Sequence, residues 1–160
     1  DRIKGEREHM REFLSELFSN RILIAAIVAW AAAQLIKTII YLILYREWRF
    51  ERLVGSGGMP SSHAATVCAL SVSALLHYGV GSPVFALCVI QTAIVLHDAR
   101  GVRLETGKQA KMINSITRFI EKSYHADVFP EEELKELVGH TPLQVLVGAI
   151  LGFIIGLIMG

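Results

Sequence analysis

The feature that most constrains this chain is an apolar run, residues 22–44, in which Gln34 and Lys37 are the only strongly polar side chains. A helix needs about 20 mainly apolar residues to cross a bilayer, so this run predicts a transmembrane helix. Three further apolar runs predict three more, at about 64–80, 83–96 and 142–159. With 52% hydrophobic and 19% charged residues, the chain is predicted to be all-α, a polytopic membrane helical bundle of about four transmembrane helices.

Two other segments have the pattern of amphipathic helices. Residues 10–20 and 107–124 carry apolar side chains at helical spacing among polar ones, which is typical of helices that lie at the membrane interface. Residues 1–9 are polar and charged, and we interpret them as a tag remnant. Residues 10–160 then form a single membrane domain.

Basic residues are distributed unevenly between the two predicted sides of the membrane. With four spans, residues 46–63 and 98–141 face the same side and carry ten Lys and Arg residues, against two, Arg11 and Arg21, on the other side after residue 10. The positive-inside rule therefore predicts cytoplasmic loops in a cell membrane, with a bacterial inner membrane as the expected location. The interleaving of basic with acidic residues argues against a nucleic-acid partner.

The segment Gly57–His63 combines glycines, hydroxyls and a histidine directly before a predicted helix. Free backbone N–H groups at a helix start bind anions, and Ser61 and Ser62 would add hydroxyl donors to a phosphate. His63 could exchange a proton near neutral pH, as general acid catalysis requires. An ordinary serine-capped helix with an interfacial histidine would show the same pattern.

His140 lies directly before the last apolar run, on the same predicted side as His63. Two histidines could divide the chemistry of phosphoryl transfer, one attacking phosphorus and the other protonating the leaving group. An attacking histidine needs an orienting group, and either Gln144, one helical turn further on, or Asp98 could supply it. Taken alone, His140 could equally be an ordinary helix-boundary residue.

Phosphoryl transfer also needs cations to neutralise the phosphate oxygens. Lys37 is a candidate because a lysine in the middle of an apolar span costs about 2.5–3.5 kcal/mol unless it has a partner or a function, although it could instead extend to the membrane surface. The other candidates are arginines, which membrane anchoring would also explain: Arg52, Arg100 and Arg103.

A glycine recurs every fourth residue in the last apolar run, at Gly148, Gly152, Gly156 and Gly160. A stripe of small residues permits two helices to approach closely in a membrane. The sequence leaves open whether the partner helix belongs to the same chain, and a homodimer through Gly148, Gly152 and Gly156 is one prediction.

Three segments together resemble the divergent branch of the type 2 phosphatidic acid phosphatase and vanadium haloperoxidase-like superfamily. Residues 57–64 look like the superfamily's Pro-Ser-Gly-His motif, with Ser62 where glycine usually stands. Residues 98–103 with 107–110, and residues 139–145, are similar to the branch's later signatures. The resemblance covers nearly the whole chain.

The resemblance implies a role for each motif residue. It implies His140 as nucleophile, His63 as general acid, Arg100 or Arg103 as the third-motif arginine, Lys37 and Arg52 as first-motif cations, and Ser61 and Ser62 as phosphate donors. It implies no metal and no other cofactor. The chain departs from the pattern in lacking a Lys-x6-Arg-Pro string, in its insertion at 104–139, and in having Gln144 where the family has aspartate, a role that Asp98 could take over.

The leading hypothesis is therefore an integral-membrane phosphatase that hydrolyses a lipid phosphate at the cytoplasmic leaflet. Phosphatidate, phosphatidylglycerophosphate and prenyl phosphates or pyrophosphates all fit. A second hypothesis is a non-catalytic protein that binds or transports phosphorylated lipid, motivated by Gln144. A third, metal-dependent hydrolysis through His97, Asp98 and Glu105, is weaker because the sequence has no compact metal-ligand motif.

Overall fold

A computed structural model describes residues 2–46, 57–124, 134 and 139–160. These residues form six α-helices and no strand: α1 (Arg2–Ser19), α2 (Arg21–Tyr45), α3 (Ser62–Tyr78), α4 (Pro83–Arg100), α5 (Val102–Tyr124) and α6 (Pro142–Met159). The all-helical prediction is confirmed. Helix α1 begins at Arg2, so the residues interpreted as a tag remnant are continuous with the rest of that helix.

Capping side chains determine where four of the helices begin. In α2, α3, α4 and α6 the residue before the helix accepts a hydrogen bond from a first-turn backbone N–H, through Asn20, Ser61, Ser82 and Thr141 respectively. Proline follows the cap in α4 and α6, where its missing N–H costs nothing and its fixed φ suits the first turn. Helix α2 and helix α6 match their predicted spans to within one residue.

Helix α4 extends four residues beyond the predicted third span, which ends near residue 96. Helix α4 continues to Arg100, and the N–H of Gly101 still donates to the carbonyl of His97 at 2.8 Å. Hydropathy indicates where side chains become polar, whereas the helix ends where backbone hydrogen bonding stops. The difference matters because Asp98 and Ala99, on the last turn, help to build the site described below.

Three helical segments are long and apolar enough to cross a membrane: α2, α6 and the segment that begins at Pro83. Helix α3 has 17 residues, about 25 Å at 1.5 Å per residue, and lies in the middle of the bundle against α6, α2 and α4. Small buried side chains allow this packing, among them Ala29 and Ala33 of α2 against Ala65 and Ala69 of α3. The arrangement agrees with a bundle of about four membrane helices.

The glycine stripe of α6 packs against α3 of the same chain. A Cβ on Gly148 would overlap the carbonyl oxygen of Ser61, and one on Gly152 would overlap that of Ala65. Gly156 meets Val72 in the same way. These glycines are buried within the bundle, so they do not offer the surface for a homodimer, and a dimer itself stays a prediction.

Helix α5 packs mainly against α4 and leaves its apolar stripe uncovered. The stripe comprises large exposed side chains, Met112, Ile113, Ile116 and Phe119. The predicted amphipathic helix is thus present. An uncovered apolar stripe beside basic residues suits a helix that lies at a membrane interface.

Candidate phosphate site

The two candidate histidines come together at one end of the bundle. Their ring centroids are 6.0 Å apart, with the ring planes at 64°. The N–H of Ser61 donates to the carbonyl of Gln144 at 3.0 Å, and the N–H of His140 donates to the carbonyl of Ala99 at 3.2 Å. These bonds join the start of α3, the start of α6 and the end of α4, so residues 77 positions apart in sequence share one site.

His140 is the most enclosed of the candidate residues, with an exposed fraction of 1%. Among the described residues, neither ring nitrogen meets a hydrogen-bond partner of good geometry. A buried polar side chain normally has such a partner, so an unpartnered one indicates a place for a ligand or water. Gln144 and Gly58 are close to the ring, but not in hydrogen-bonding geometry.

The surroundings of His140 favour its neutral form. Burial lowers the pKa of His140 below its ordinary value of 6.5, and Lys37 and His63 lower this pKa further, against weaker opposing effects from Gln144 and Gly58. Because burial disfavours the charged ring, His140 is neutral at pH 7. A neutral imidazole keeps the lone pair that a nucleophile needs.

Lys37 lies inside the bundle and does not extend to the membrane surface. It is 4% exposed, and its Nζ donates to Oε1 of Gln34 at 2.7 Å. Gly58 packs on its stem, where a Cβ would lie 3.3 Å from Cγ of Lys37, and the positive φ of 81° at Gly58 also favours glycine. Gln34 lies three residues before Lys37. The i, i+3 spacing of two polar residues on an apolar helix predicts such a pair.

Asp98 and Arg103 form an ion pair, with Nε of Arg103 donating to Oδ2 of Asp98 at 2.6 Å. Burial lowers the pKa of His63 below its ordinary value of 6.5, Arg103 and Lys37 lower this pKa further, and Asp98 opposes them. Arg103 and Asp98 are therefore charged neighbours of His63, and the role of Asp98 as an orienting group of His140 stays a prediction. Arg100 is exposed on the last turn of α4.

The two serines of the site are buried at the start of α3. Ser61 is 0% exposed, and its Oγ accepts the N–H of Ala64 as the helix cap. Ser62 is also buried, and its carbonyl accepts the hydroxyl of Thr66. A hydroxyl whose oxygen caps a helix can still donate its proton to a phosphate. The capping role is therefore compatible with phosphate binding by the serines, which stays a prediction. Arg52 lies outside the described residues.

Gln144 has a structural function that the sequence pattern could have revealed. Its Oε1 accepts the N–H of Thr141 at 3.0 Å, and its own N–H donates to Oγ1 of Thr141 at 3.4 Å. This reciprocal pair is a capping box, and Thr141 followed by Gln144 matches its Ser/Thr-x-x-Glu/Gln signature. Glutamate at 144 could make the same box, whereas the shorter aspartate reaches less far.

Replacing Gln144 by glutamate is expected to raise the pKa of His140. The carboxylate would keep the capping box and place a negative charge beside the ring, which stabilises the imidazolium. An NMR titration of the His140 ring measures this shift. Gln144→Leu is the matched control: it should lose the box, destabilise the protein by about 1 kcal/mol, and leave no added charge. An unchanged His140 titration in Gln144→Glu would contradict the proximity of the two side chains.

A cavity of about 600 Å³ opens beside the histidine pair. Its wall includes Lys37, Gly58 and Gln144 from the site, and neither histidine is part of the described wall. The rest combines apolar, aromatic and basic side chains: Ile40, Leu44 and Met59, then Tyr41 and Tyr45, then Lys108 and Lys111. An apolar cleft with cations at its edge suits an amphiphilic anion.

The residues of the metal-dependent hypothesis do not converge. In the described part of the chain no three His, Cys, Asp or Glu side chains are grouped so as to hold a metal ion. Glu105 accepts a hydrogen bond from Nζ of Lys108 at 2.7 Å, and Asp98 forms an ion pair with Arg103. Both carboxylates are therefore engaged with cations of the protein.

Comparison with known proteins agrees with the resemblance seen in the motifs. The model of the divergent PAP2 family matches residues 18–155, a range that includes both histidines. The chain belongs to the divergent PAP2 family. The chain is also similar to the uncharacterized membrane protein YuiD of Bacillus subtilis (strain 168), with 36% identity over 152 residues that cover 90% of this chain and 96% of YuiD. No solved structure matches the chain significantly.

Proposed function

We propose that this membrane protein is a phosphatase that hydrolyses the phosphomonoester or pyrophosphate of a lipid through a phosphohistidine on His140. The observation that carries the proposal is the buried ring of His140, which has no hydrogen-bond partner among the described residues and lies beside both His63 and Lys37. A neutral nucleophile, a second imidazole and a buried cation are what metal-independent phosphoryl transfer requires.

In the proposed reaction a ring nitrogen of His140 donates its lone pair to phosphorus. The bond between phosphorus and the lipid oxygen breaks, that oxygen takes the electron pair, and the protonated ring of His63 gives it a proton and becomes neutral. Water then attacks the phosphohistidine while His63 accepts a proton from the water. The phosphorus–nitrogen bond breaks, inorganic phosphate leaves, and His140 is neutral again.

The cavity supports a lipid as the substrate. Lys37 reaches from the histidine pair to the cavity wall, so a phosphate held near Lys37 would place its alcohol part among the apolar and aromatic side chains. Phosphatidate, phosphatidylglycerophosphate and prenyl phosphates share this chemistry. The excess of basic residues on the loop side supports a cell membrane with the site at its cytoplasmic face.

Phosphate release from these three lipids by the purified protein in detergent tests the proposal directly. We expect release from at least one of them, unchanged by a chelator because no step requires a metal. Absence of release from all three would reject the phosphatase. Retained lipid binding in that case would favour the second candidate, a non-catalytic binder or transporter. Its support is that position 144 holds an amide, which caps the helix, and not a carboxylate.

The two arginines near the end of α4 should differ in their effect on this activity. Arg103→Gln removes a cation that acts on His63, and a lost charged contact of about 1.5–3 kcal/mol lowers kcat/KM by about tenfold to a hundredfold. Arg100 is exposed, so Arg100→Gln is the matched control and should change the rate less than about twofold. Equal losses in both variants would argue against a specific role for Arg103.

Activity is expected to persist in acid to a pH below 6.5, the ordinary pKa of histidine. The nucleophile must be unprotonated, and burial together with Lys37 lowers the pKa of His140. The rate should therefore fall only when the pH drops through this lowered pKa. The acid limb of a plot of log kcat/KM against pH measures this pKa. Lys37→Met should move that limb to higher pH, and a limb that stays in place would contradict the coupling.

A further inference from the structure

Helix α4 carries a polar side chain in an unusual place. Gln91 is the ninth of its 18 residues, at the middle of a segment long and apolar enough to cross a membrane. Its side chain is exposed, and it makes no hydrogen bond with any other described residue. An amide facing hydrocarbon without a partner is costly, because lipid offers neither donors nor acceptors.

The rest of α4 shows that this face is little used by the described part of the chain. Ala99 is the one buried residue of α4, whereas α3 has eight. The neighbouring polar residue Thr92 turns the other way, because its Oγ1 donates to the carbonyl of Val67 at 2.9 Å and lies 2.8 Å from Oγ of Ser71. The bundle thus satisfies Thr92 internally and leaves Gln91 on the outside.

Gln91 lies at the centre of a stripe of exposed side chains at helical spacing. The stripe comprises Val84, Leu87, Gln91 and Ile94, with Leu87 72% and Ile94 59% exposed. Spacings of three and four residues place these side chains along one side of the helix, as in a helix–helix seam. The stripe is therefore an apolar surface that carries one amide side chain, that of Gln91, near its middle.

We propose that this stripe is the contact between two copies of the chain, in which the Gln91 side chains hydrogen-bond to each other. Copies in one membrane have the same orientation, so a twofold axis along the membrane normal places each Gln91 at the same depth as its counterpart. An amide carries both donors and an acceptor, so two of them satisfy each other. The dimer surface therefore lies on α4 and not on the glycine stripe of α6, which α3 covers.

The mass of the purified protein in a mild detergent, followed over a dilution series by light scattering, tests the contact. We expect two copies of 17.7 kDa at high concentration. Gln91→Leu should weaken the dimer by about threefold to thirtyfold, the range for an interhelical hydrogen bond in a membrane. Gln91→Asn, which keeps an amide, should retain most of the affinity.

A matched pair of bulky substitutions tests the surface independently of Gln91. Leu87→Trp should prevent dimerisation, whereas Ile150→Trp, at a residue of α6 that is 52% exposed, should not. Both sites are on the outside of the bundle, so neither substitution should unfold it. A wild-type protein that stays a monomer at all concentrations would overturn the proposal, as would a dimer that is insensitive to both Gln91→Leu and Leu87→Trp.

Discussion

Replacing His140 by alanine is expected to reduce phosphate release by on the order of 10³-fold or more, the scale of losing a catalytic nucleophile. No described side chain other than His63 offers a second imidazole in contact distance of this position. The proposed role of His63 is that of an acid. The measurement is the initial rate of phosphate release from the best lipid substrate.

His97→Ala is the control for this substitution, because His97 is an exposed histidine on α4. It should keep nearly the full rate. Trapping of the phosphoenzyme separates the two histidines of the site. An acid-labile phosphoprotein should form in the wild type, more slowly in His63→Ala because the leaving group loses its acid, and not at all in His140→Ala. A phosphoprotein that persists in His140→Ala would assign the nucleophile to another residue.

Replacing Gly152 by leucine is expected to separate α3 from α6 and to give the largest loss of stability. Even a Cβ at Gly152 would overlap the backbone of Ala65, and backbone cannot move aside as the end of a flexible side chain can. Overpacking a well-packed contact costs about 1–3 kcal/mol, and a leucine at a backbone contact should exceed that range. Thermal unfolding in detergent measures the loss.

Gly81→Ala provides the matched control, since nothing lies within 4 Å of a Cβ at that turn. Its melting temperature should stay within a few degrees of the wild type. Gly148→Ala is the informative intermediate, because its Cβ would meet the carbonyl of Ser61, next to the histidine pair. We expect Gly148→Ala to reduce the rate of phosphate release strongly, with a smaller fall in melting temperature than Gly152→Leu. A Gly152→Leu protein as stable as Gly81→Ala would show that α3 and α6 are not in close contact.

The functional consequence of these contacts is that the site depends on the helix packing beneath it. The backbone N–H of Ser61 donates to the carbonyl of Gln144, and the backbone N–H of His140 donates to the carbonyl of Ala99. The residue types at these positions do not predict such backbone pairings. A change in the distance between α3 and α6 therefore moves His63 relative to His140. The glycine stripe acts on the site by positioning.

Much of the membrane architecture follows from sequence alone, for a simple physical reason. Hydrocarbon cannot satisfy backbone polar groups, so long apolar runs must be helical, and their length and boundaries are readable from composition. The ends of α2 and α6 agree with prediction because polar or capping residues stand at both boundaries. Helix α4 continues past its apolar run, because charged residues can occupy the last turn of a helix.

Sequence motifs also identified the family and the two histidines, since a chemical role restricts the residue type at a position. They could not decide between Arg100 and Arg103, or between Asp98 and Gln144 as the neighbour of His140. Those choices depend on the direction of each side chain at a helix end, which small rotations of the helix change. In the structure Arg103 and Asp98 are charged neighbours of His63, and Gln144 lies close to the ring of His140.

Sequence by itself thus determined that this protein crosses a membrane as helices and that motifs resembling those of the divergent PAP2 family stand at their ends. Only the tertiary structure decided that α6 uses its glycines within the chain, that Lys37 points inward to Gln34, and that Gln91 is left on the outside. The physical reason is that hydropathy is a property of each segment. The partner of a small or polar residue depends on which helix lies next to it, and that is decided by packing between segments distant in sequence.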